Sequence, residues 1–340
     1  MRASEPWLAT IIPVLNEEEH IEACLHSLIN QSLPANEHIV VVLDGGSSDS
    51  TKELVQSIID GMDGQTQPSL YLHDNPGRFA PHARNFALQW LPRSITHVLE
   101  FNGHIEIETN HLETMKAAWY RIEKNHPKIA GLGCRVVGFD TFQSRVESIL
   151  NSTLESPLGG STGQFANFAH EEATNVPAFA LHRRSALDEV GGWDETFLTS
   201  QDSDLSMRLT KAGYTLFRTP ELVVKMRRRS SFRNWFLMSH RYGFWRTKVL
   251  RKHPKRLVLR EFLPLFGLML VSLLWFFEPA FALFPLASYG IVLALSGLLN
   301  LKKGLSHALG VPYALFLLHV GFTLGLIDGL IRKGRAPSDR

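Results

Sequence analysis

Three apolar stretches close the chain and limit what it can be: Phe262 to Phe277, Pro279 to Leu299, and Leu305 to Ile331. A helix needs ~20 apolar residues to cross the hydrocarbon of a bilayer, and the second and third stretches are that long. The first has 16 residues before Glu278, so it crosses with little tilt, falls short of crossing, or uses Glu278-Pro279 as a turn. Ahead of these stretches, charge is segregated. Residues 1–224 carry 16 basic and 29 acidic side chains, whereas residues 225–260 carry 13 basic and no acidic ones. An acidic body is therefore joined by a basic collar to membrane helices, and such a collar suits anionic lipid rather than nucleic acid.

Within the collar, Ser230 to Lys252 interleaves Phe232, Trp235, Phe236, Met238, Tyr242, Phe244 and Trp245 with arginines. Apolar bodies with snorkelling cations fit an interfacial helix; an ordinary amphipathic helix packed on the protein is the alternative. Three spans put Lys302-Lys303 on the cytoplasmic side with the body, as positive charges prefer, and Arg332, Lys333 and Arg335 outside, which they do not. Three spans are nevertheless preferred here over two. The expected organisation is a domain over 1–224, the collar over 225–260, transmembrane helices over 261–331 and a basic tail over 332–340.

The body alternates strands with helices. Ile39-Val40-Val41-Val42-Leu43 is an unbroken β-branched and apolar run, Asp44 stops it, Gly45 and Gly46 allow a tight turn, and Thr51 opens a helical pattern. Further strands are expected at Leu8–Pro13, Ser69–Leu72, Thr96–Phe101, Lys128–Gly138 and Val176–Leu181. Helices are expected from an Asn16 cap towards Gln31, at His82–Trp90, from Thr109 or Asn110 to Lys124, at Thr141–Glu155 and from Gln201 to Ala212, with a loop over Ser156–Asn175. This is an α/β fold with a mostly parallel sheet. Ligands of such sheets sit beyond the carboxyl ends of the strands. Pro13 to Glu17, Asp44 with its glycines, Asn75 to Asn85, and Asn102-Gly103-His104 all fall at such ends. A purely local reading remains open for Asp44, as the cap of its own turn and the next helix. Cys24 and Cys134 have no metal-site spacing and are expected reduced and buried. No cleavable leader pattern is read at the N-terminus, and the body is expected on the cytoplasmic side.

Taken in order, these pieces resemble the family 2 glycosyltransferases, inverting enzymes with the Rossmann-like GT-A nucleotide-sugar fold. Pro13-Val14-Leu15-Asn16-Glu17 looks like that family's first donor loop, and LDGGSSDST like its nucleotide-binding turn. NPGRFAPHARN looks like its sugar-nucleotide loop, and QDSDLSMRL like its acceptor-side helix, normally written Glu-Asp-x-Asp-Leu. Past Thr219, HRYGFWRTKVLRKHP and REFLP are similar to the membrane-bound transferases of succinoglycan and exopolysaccharide synthesis.

The resemblance implies transfer of a sugar from a nucleotide donor, UDP-linked in the preferred reading, to a lipid-linked or polysaccharide acceptor. Asp202 would be the base, with Asp204 the alternative that should face elsewhere on the helix. Asp44 would recognise uracil or ribose; Pro13, Glu17, Gly77, Asn102 and Gly103 would line the nucleotide-sugar pocket, and Arg84 would reach the diphosphate. The family's metal motif is Asp-x-Asp, or Asp-x-His in the exopolysaccharide branch, where this chain has Asn102-Gly103-His104. His104 can hold manganese or magnesium, but neutral Asn102 is a weak substitute for a carboxylate. Weakened metal binding, charge neutralisation by arginines and impaired activity are the three outcomes. Arg227, Arg228 and Arg229 would meet a polyprenyl pyrophosphate or lipid headgroups. Two rival functions are a polyprenyl-phosphate monosaccharide synthase, its lipid phosphate held by the Ser156–Asn175 loop, and a silent membrane subunit supporting another transferase. The expected location is the inner (plasma) membrane, multi-pass, with the catalytic domain cytoplasmic.

Overall fold

The apolar run ending at Asp44 becomes a strand buried along its whole length, and the sheet grows around it. A computed structural model describes residues 5–64, 66–159 and 168–336. In chain order the first half comprises β1 (Leu8–Val14), α1 (Ile21–Ile29), β2 (His38–Asp44), α2 (Thr51–Asp60), β3 (Ser69–Asp74), α3 (Ala80–Trp90), β4 (His97–Glu100), β5 (Ile105–Ile107), α4 (His111–Asn125) and β6 (Ile129–Val137). There follow α5 (Arg145–Glu155), β7 (Glu172–Ala173), β8 (Leu181–Arg183), α6 (Arg184–Val190), α7 (Gln201–Lys211) and β9 (Thr215–Met226). The chain closes with α8 (Phe232–Lys252), α9 (Leu263–Phe277), α10 (Pro279–Leu299) and α11 (Leu305–Ile331).

Among the described residues the strands form one sheet, in the order β3-β2-β1-β4-β8-β6-β9-β5, with β7 on β9. Strands β3, β2, β1 and β4 are parallel, as helical crossovers require. Beyond β4 the sheet is mixed: β8 inserts antiparallel between β4 and β6, while β9 runs parallel to β6 and antiparallel to β5. Alternate residues of β1 and β2 enter two separate cores. Ile12, Val14, Val40 and Val42 pack towards Leu25, Leu28 and Trp119. Ala9, Ile11, Val41 and Leu43 pack towards Ala83, Ala87, Leu187 and Leu209.

Two expected elements are corrected. The strand placed at Val176–Leu181 begins only at Leu181. Pro177 and the left-handed Phe179 (φ 44°) prevent regular pairing there, although the Ala178 and Ala180 carbonyls still accept from Cys134 and Glu100. Asn16 does not cap α1, which starts at Ile21; its φ is 55° and its side chain turns to a neighbouring loop.

The chain divides into two compact units: the sheet with α1–α4, α6 and α7, and a second unit of α5 with α8–α11. In the second unit Trp235 of α8 is buried and its indole N–H donates to the Ala314 carbonyl at 2.9 Å. Gly321, Gly325 and Gly329, one helical turn apart on α11, face the backbone carbonyls of Phe236, His240 and Phe244 on α8. A Cβ on Gly329 would stand 2.6 Å from the Phe244 carbonyl oxygen, so only glycine permits this approach. The collar helix is thus paired along its length with α11. Three helical segments, Leu259–Phe277, Pro279–Leu299 and Leu305–Ile331, are long and apolar enough to cross a membrane.

Both cysteines are free and buried, and burial pushes their thiols up and out of the reactive range. Burial also holds three histidines of the first unit far below their ordinary range: His38 at about 3, and His97 and His111 at about 4. The unfolded chain binds these protons from about pH 6.5 downwards, but the folded chain takes them up only near the depressed values. Their contribution to stability is therefore complete above pH 6.5 and is lost as pH falls. Where all three are charged only in the unfolded chain, the slope is about 4 kcal/mol per pH unit. Thermal unfolding followed from pH 7.5 to 5 should show a falling midpoint; a flat profile would contradict buried neutral histidines.

Candidate functional site

Loops at the carboxyl ends of β1, β2 and β3 are held together by their own polar groups. The Asn16 side-chain carbonyl accepts from Ser48 N at 2.8 Å, Glu17 N donates to Thr51 Oγ1 at 2.8 Å, and Ser50 N donates to Glu18 at 3.0 Å. Asn75 N donates to the Asp44 carbonyl at 2.7 Å, and Gly45 faces the Arg78 carbonyl so closely that a Cβ would collide with it. Gly77 is likewise required, because a Cβ there would enter the His82 ring. Asn16, Arg78 and Ser200, the last at the start of α7, have φ of 55°, 66° and 62°. Left-handed non-glycine residues cost about 1–3 kcal/mol each and gather where geometry is functional.

Asp44, expected to point at a ligand, is buried, and its carboxylate accepts from Gly46 N and Ser47 N, each at 3.0 Å. These bonds close the turn that follows β2 and do not reach α2, which begins at Thr51. Pro13 sits in β1 opposite Leu43, beyond the last residue paired with β4, where its missing N–H is tolerated.

A charged chain links α3, β4 and α7. Arg84 is 4% exposed; its Nη1 lies 3.4 Å from Asp202 Oδ1 and its Nη2 3.6 Å from Glu100 Oε2. Glu100 is further bound by His182 Nε2 at 3.0 Å and Trp193 Nε1 at 3.2 Å, and the guanidinium stands 5.6 Å from the Trp193 ring centroid. Burial pushes the Glu100 carboxyl up, but Arg84, His182 and Trp193 outweigh it and hold the group at about 2. It is an anion throughout the physiological range, and it fixes Arg84. Arg84, expected from the sequence to reach a diphosphate, here stands between two carboxylates. Asp202 keeps 29% of its side chain exposed, whereas Asp204 is fully buried and bound to Arg208 Nε at 2.8 Å. The two acids of the motif thus do different work.

On the opposite flank, His104 Nδ1 lies 2.9 Å from Glu17 Oε1, both side chains partly exposed. Gly103 is packed against Glu17 and Val14, and a Cβ there would stand 3.1 Å from each. Asn102 contributes its backbone carbonyl to the Cys24 thiol and brings no charge. Among the described residues no three acids, histidines or cysteines gather as a ready metal cage. The donor set present is one imidazole beside one carboxylate, which fits a divalent ion only if its ligand supplies further oxygens.

Glu100, His182 and Trp193 join this chain of contacts although no motif marks them: Glu100 closes β4, His182 lies in β8 and Trp193 follows a Gly-Gly turn. Arg227 and Arg228, expected beside Arg229 at the acceptor or the lipid, have different partners. The Arg227 guanidinium stacks 4.0 Å from the Phe139 ring centroid, whereas Arg228 belongs to the second unit, donating to Glu147 at 3.3 Å and Asn151 at 3.1 Å. Burial lowers Arg228 to about 10, so it stays charged at neutral pH. Part of the Ser156–Asn175 loop, residues 160–167, lies outside the described residues.

The motifs and this sheet agree with the relatives. The succinoglycan biosynthesis protein ExoA of Rhizobium meliloti is 30% identical over 275 residues, covering 78% of each chain. A Methanococcus voltae protein, dolichyl N-acetyl-α-D-glucosaminyl phosphate 3-β-D-2,3-diacetamido-2,3-dideoxy-β-D-glucuronosyltransferase, is 25% identical over 96% of this chain and 98% of its own. Among solved structures, mannosyltransferase PcManGT of Pyrobaculum calidifontis, in complex with GDP-Man and Mn2+, superposes with a TM-score of 0.61 at 17% identity. That match covers 96% of this chain and 87% of the other and gives the fold as GT-A. The family model for glycosyl transferase family 2 matches residues 9–191, and that for glycosyl transferase family group 2 matches residues 116–327. With more than half of its length inside the first of these, the chain belongs to glycosyl transferase family 2 and is a glycosyltransferase.

Proposed function

We propose that this membrane-anchored enzyme moves a sugar from a nucleotide sugar, UDP-linked in our reading, to a lipid-linked or polysaccharide acceptor with inversion at the anomeric carbon. The observation that carries it is the partly exposed Asp202 carboxylate held by a buried arginine that is itself anchored on Glu100. In this reading Asp202 accepts the proton of the acceptor hydroxyl as its oxygen attacks the anomeric carbon. The bond to the nucleoside diphosphate breaks on the opposite face, and the diphosphate leaves with the negative charge. Arg84 sets the direction of the Asp202 carboxylate and contributes positive charge beside it. Loops 13–18, 44–51 and 75–79, locked to one another, form the nucleotide pocket.

A divalent ion, manganese or magnesium, would neutralise the leaving diphosphate. His104 would hold it through Nε2, with Glu17 on Nδ1 fixing the ring, an arrangement common around metal-bound histidines. The membrane reading places the protein in the plasma (inner) membrane with its catalytic unit on the cytoplasmic side, supported by the three apolar helices and by the basic collar.

The test is manganese binding followed by electron paramagnetic resonance in the presence of nucleoside diphosphate, beside turnover over a panel of UDP- and GDP-sugars. Glu17→Gln should weaken binding ~10–100-fold, the usual effect of losing a histidine's outer partner, and His104→Ala should weaken it at least as much. Unchanged binding in both variants would remove the ion from this flank.

A further inference from the structure

The three apolar helices are not equivalent. An antiparallel bundle of three spans would set the first turn of α9 and the last turn of α11 on opposite faces, ~30 Å apart. They are neighbours instead. Phe262 and Leu265, at the start of α9, line one apolar cavity with Leu326 and Leu330, near the end of α11. Glu261, just before α9, lies 2.9 Å from Arg246 of α8, and the adjoining Thr247 hydroxyl donates to the Leu326 carbonyl at 3.0 Å. The other end of α11 lies against the end of α10, where Gly297 is packed on Ala308 and Pro312. If α9 crosses outwards and α10 returns, the start of α9 and the end of α10 share one face, and so both ends of α11 lie on that face.

The partner of α11 points the same way. Helix α8 runs parallel to it, with Trp235 beside Ala314, His240 Nε2 3.6 Å from Asp328, Arg251 donating to the Leu330 carbonyl and Lys248 to that of Arg332. It carries six Lys or Arg and no acid, and such charges are disfavoured at the centre of a bilayer. A helix bound along α8 therefore stays where α8 stays, in the headgroup layer. Burial follows the same division: none of the apolar window of α9 and 17% of that of α10 is covered by protein, against 39% for α11.

We propose that only α9 and α10 cross the bilayer. On this proposal α11 lies with α8 in the headgroup layer of the inner face, the pair forming one basic surface that takes anionic lipid. Glu278 is then the lone charged residue between Leu263 and Leu299 and occupies the outer turn. Lys302, Lys303, Arg332, Lys333 and Arg335 all fall on the inner side with the collar, as positive charges prefer. Two spans with an internal basic tail then stand in place of the three expected from the sequence.

The proposal rests on the membrane reading and is independent of the reaction. The full chain carrying Glu278→Cys, Lys302→Cys or Lys333→Cys, each at an exposed position, would be treated in intact spheroplasts with a membrane-impermeant maleimide, then again after lysis. Glu278→Cys should label from outside, and the other two only after lysis. External labelling of Lys333→Cys or Lys302→Cys would overturn the proposal, as would protection of Glu278→Cys until lysis. Because labelling reads sidedness and not turnover, such a failure would leave the transferase reading standing.

Discussion

Asp202→Asn should lower kcat by ~10²–10⁴-fold, the range expected when a positioned general base is lost, with little change in donor KM. The amide keeps the shape of the carboxylate at the start of α7 but cannot accept the acceptor's proton. Arg84 keeps Glu100 as its partner, so the fold should survive, and thermal unfolding of the variant serves as the control. Asp204→Asn separates the two acids. Its loss breaks a buried pair with Arg208, so it should reduce stability before it reduces turnover per folded molecule. Equal kcat in Asp202→Asn and the parent would move the base elsewhere.

Arg84→Met should cost more in stability than any substitution at the exposed loops. Glu100 would remain a buried anion with only His182 and Trp193 to satisfy it. Removing one member of a buried pair costs about 3–5 kcal/mol, which for a domain of this size lowers the midpoint of thermal unfolding by roughly 6–20 °C. Adding Glu100→Gln should return part of that loss, because the uncompensated charge disappears; a double-mutant cycle reads the coupling directly. Additive losses would contradict the linked carboxylate, arginine and carboxylate. Arg84→Lys keeps the charge but not the fork that reaches both acids, so it should retain more stability than activity.

Much of the fold was legible because its signals are local. The valine run before Asp44, the paired glycines after it and the switch to helical spacing at Thr51 each act over a few residues. The same is true of the closing apolar stretches, whose bounds match α10 and α11. Other features depend on contacts that spacing does not carry. Arg84 and Asp202 are 118 positions apart, and the role of Arg84 is decided by a sheet residue that no motif marks. The grouping of α5 with α8–α11 includes the close approach of Ile149 to Gly310 of α11, which only a residue without a side chain allows. The insertion of β8 antiparallel to β4 likewise follows from tertiary pairing, since a three-residue strand has too little pattern to declare its direction.

Whether Asp202, at the fork of Arg84, is the base is read most directly from release of nucleoside diphosphate by the detergent-solubilised full chain, parent beside Asp202→Asn. Both would be given a panel of UDP- and GDP-sugars, manganese and a polyprenyl-linked acceptor, and the anomeric configuration of the product would be read by NMR. Turnover is expected with at least one donor, with an inverted product, and should be lost in the variant. A retained configuration, or turnover unaffected by the substitution, would contradict this expectation.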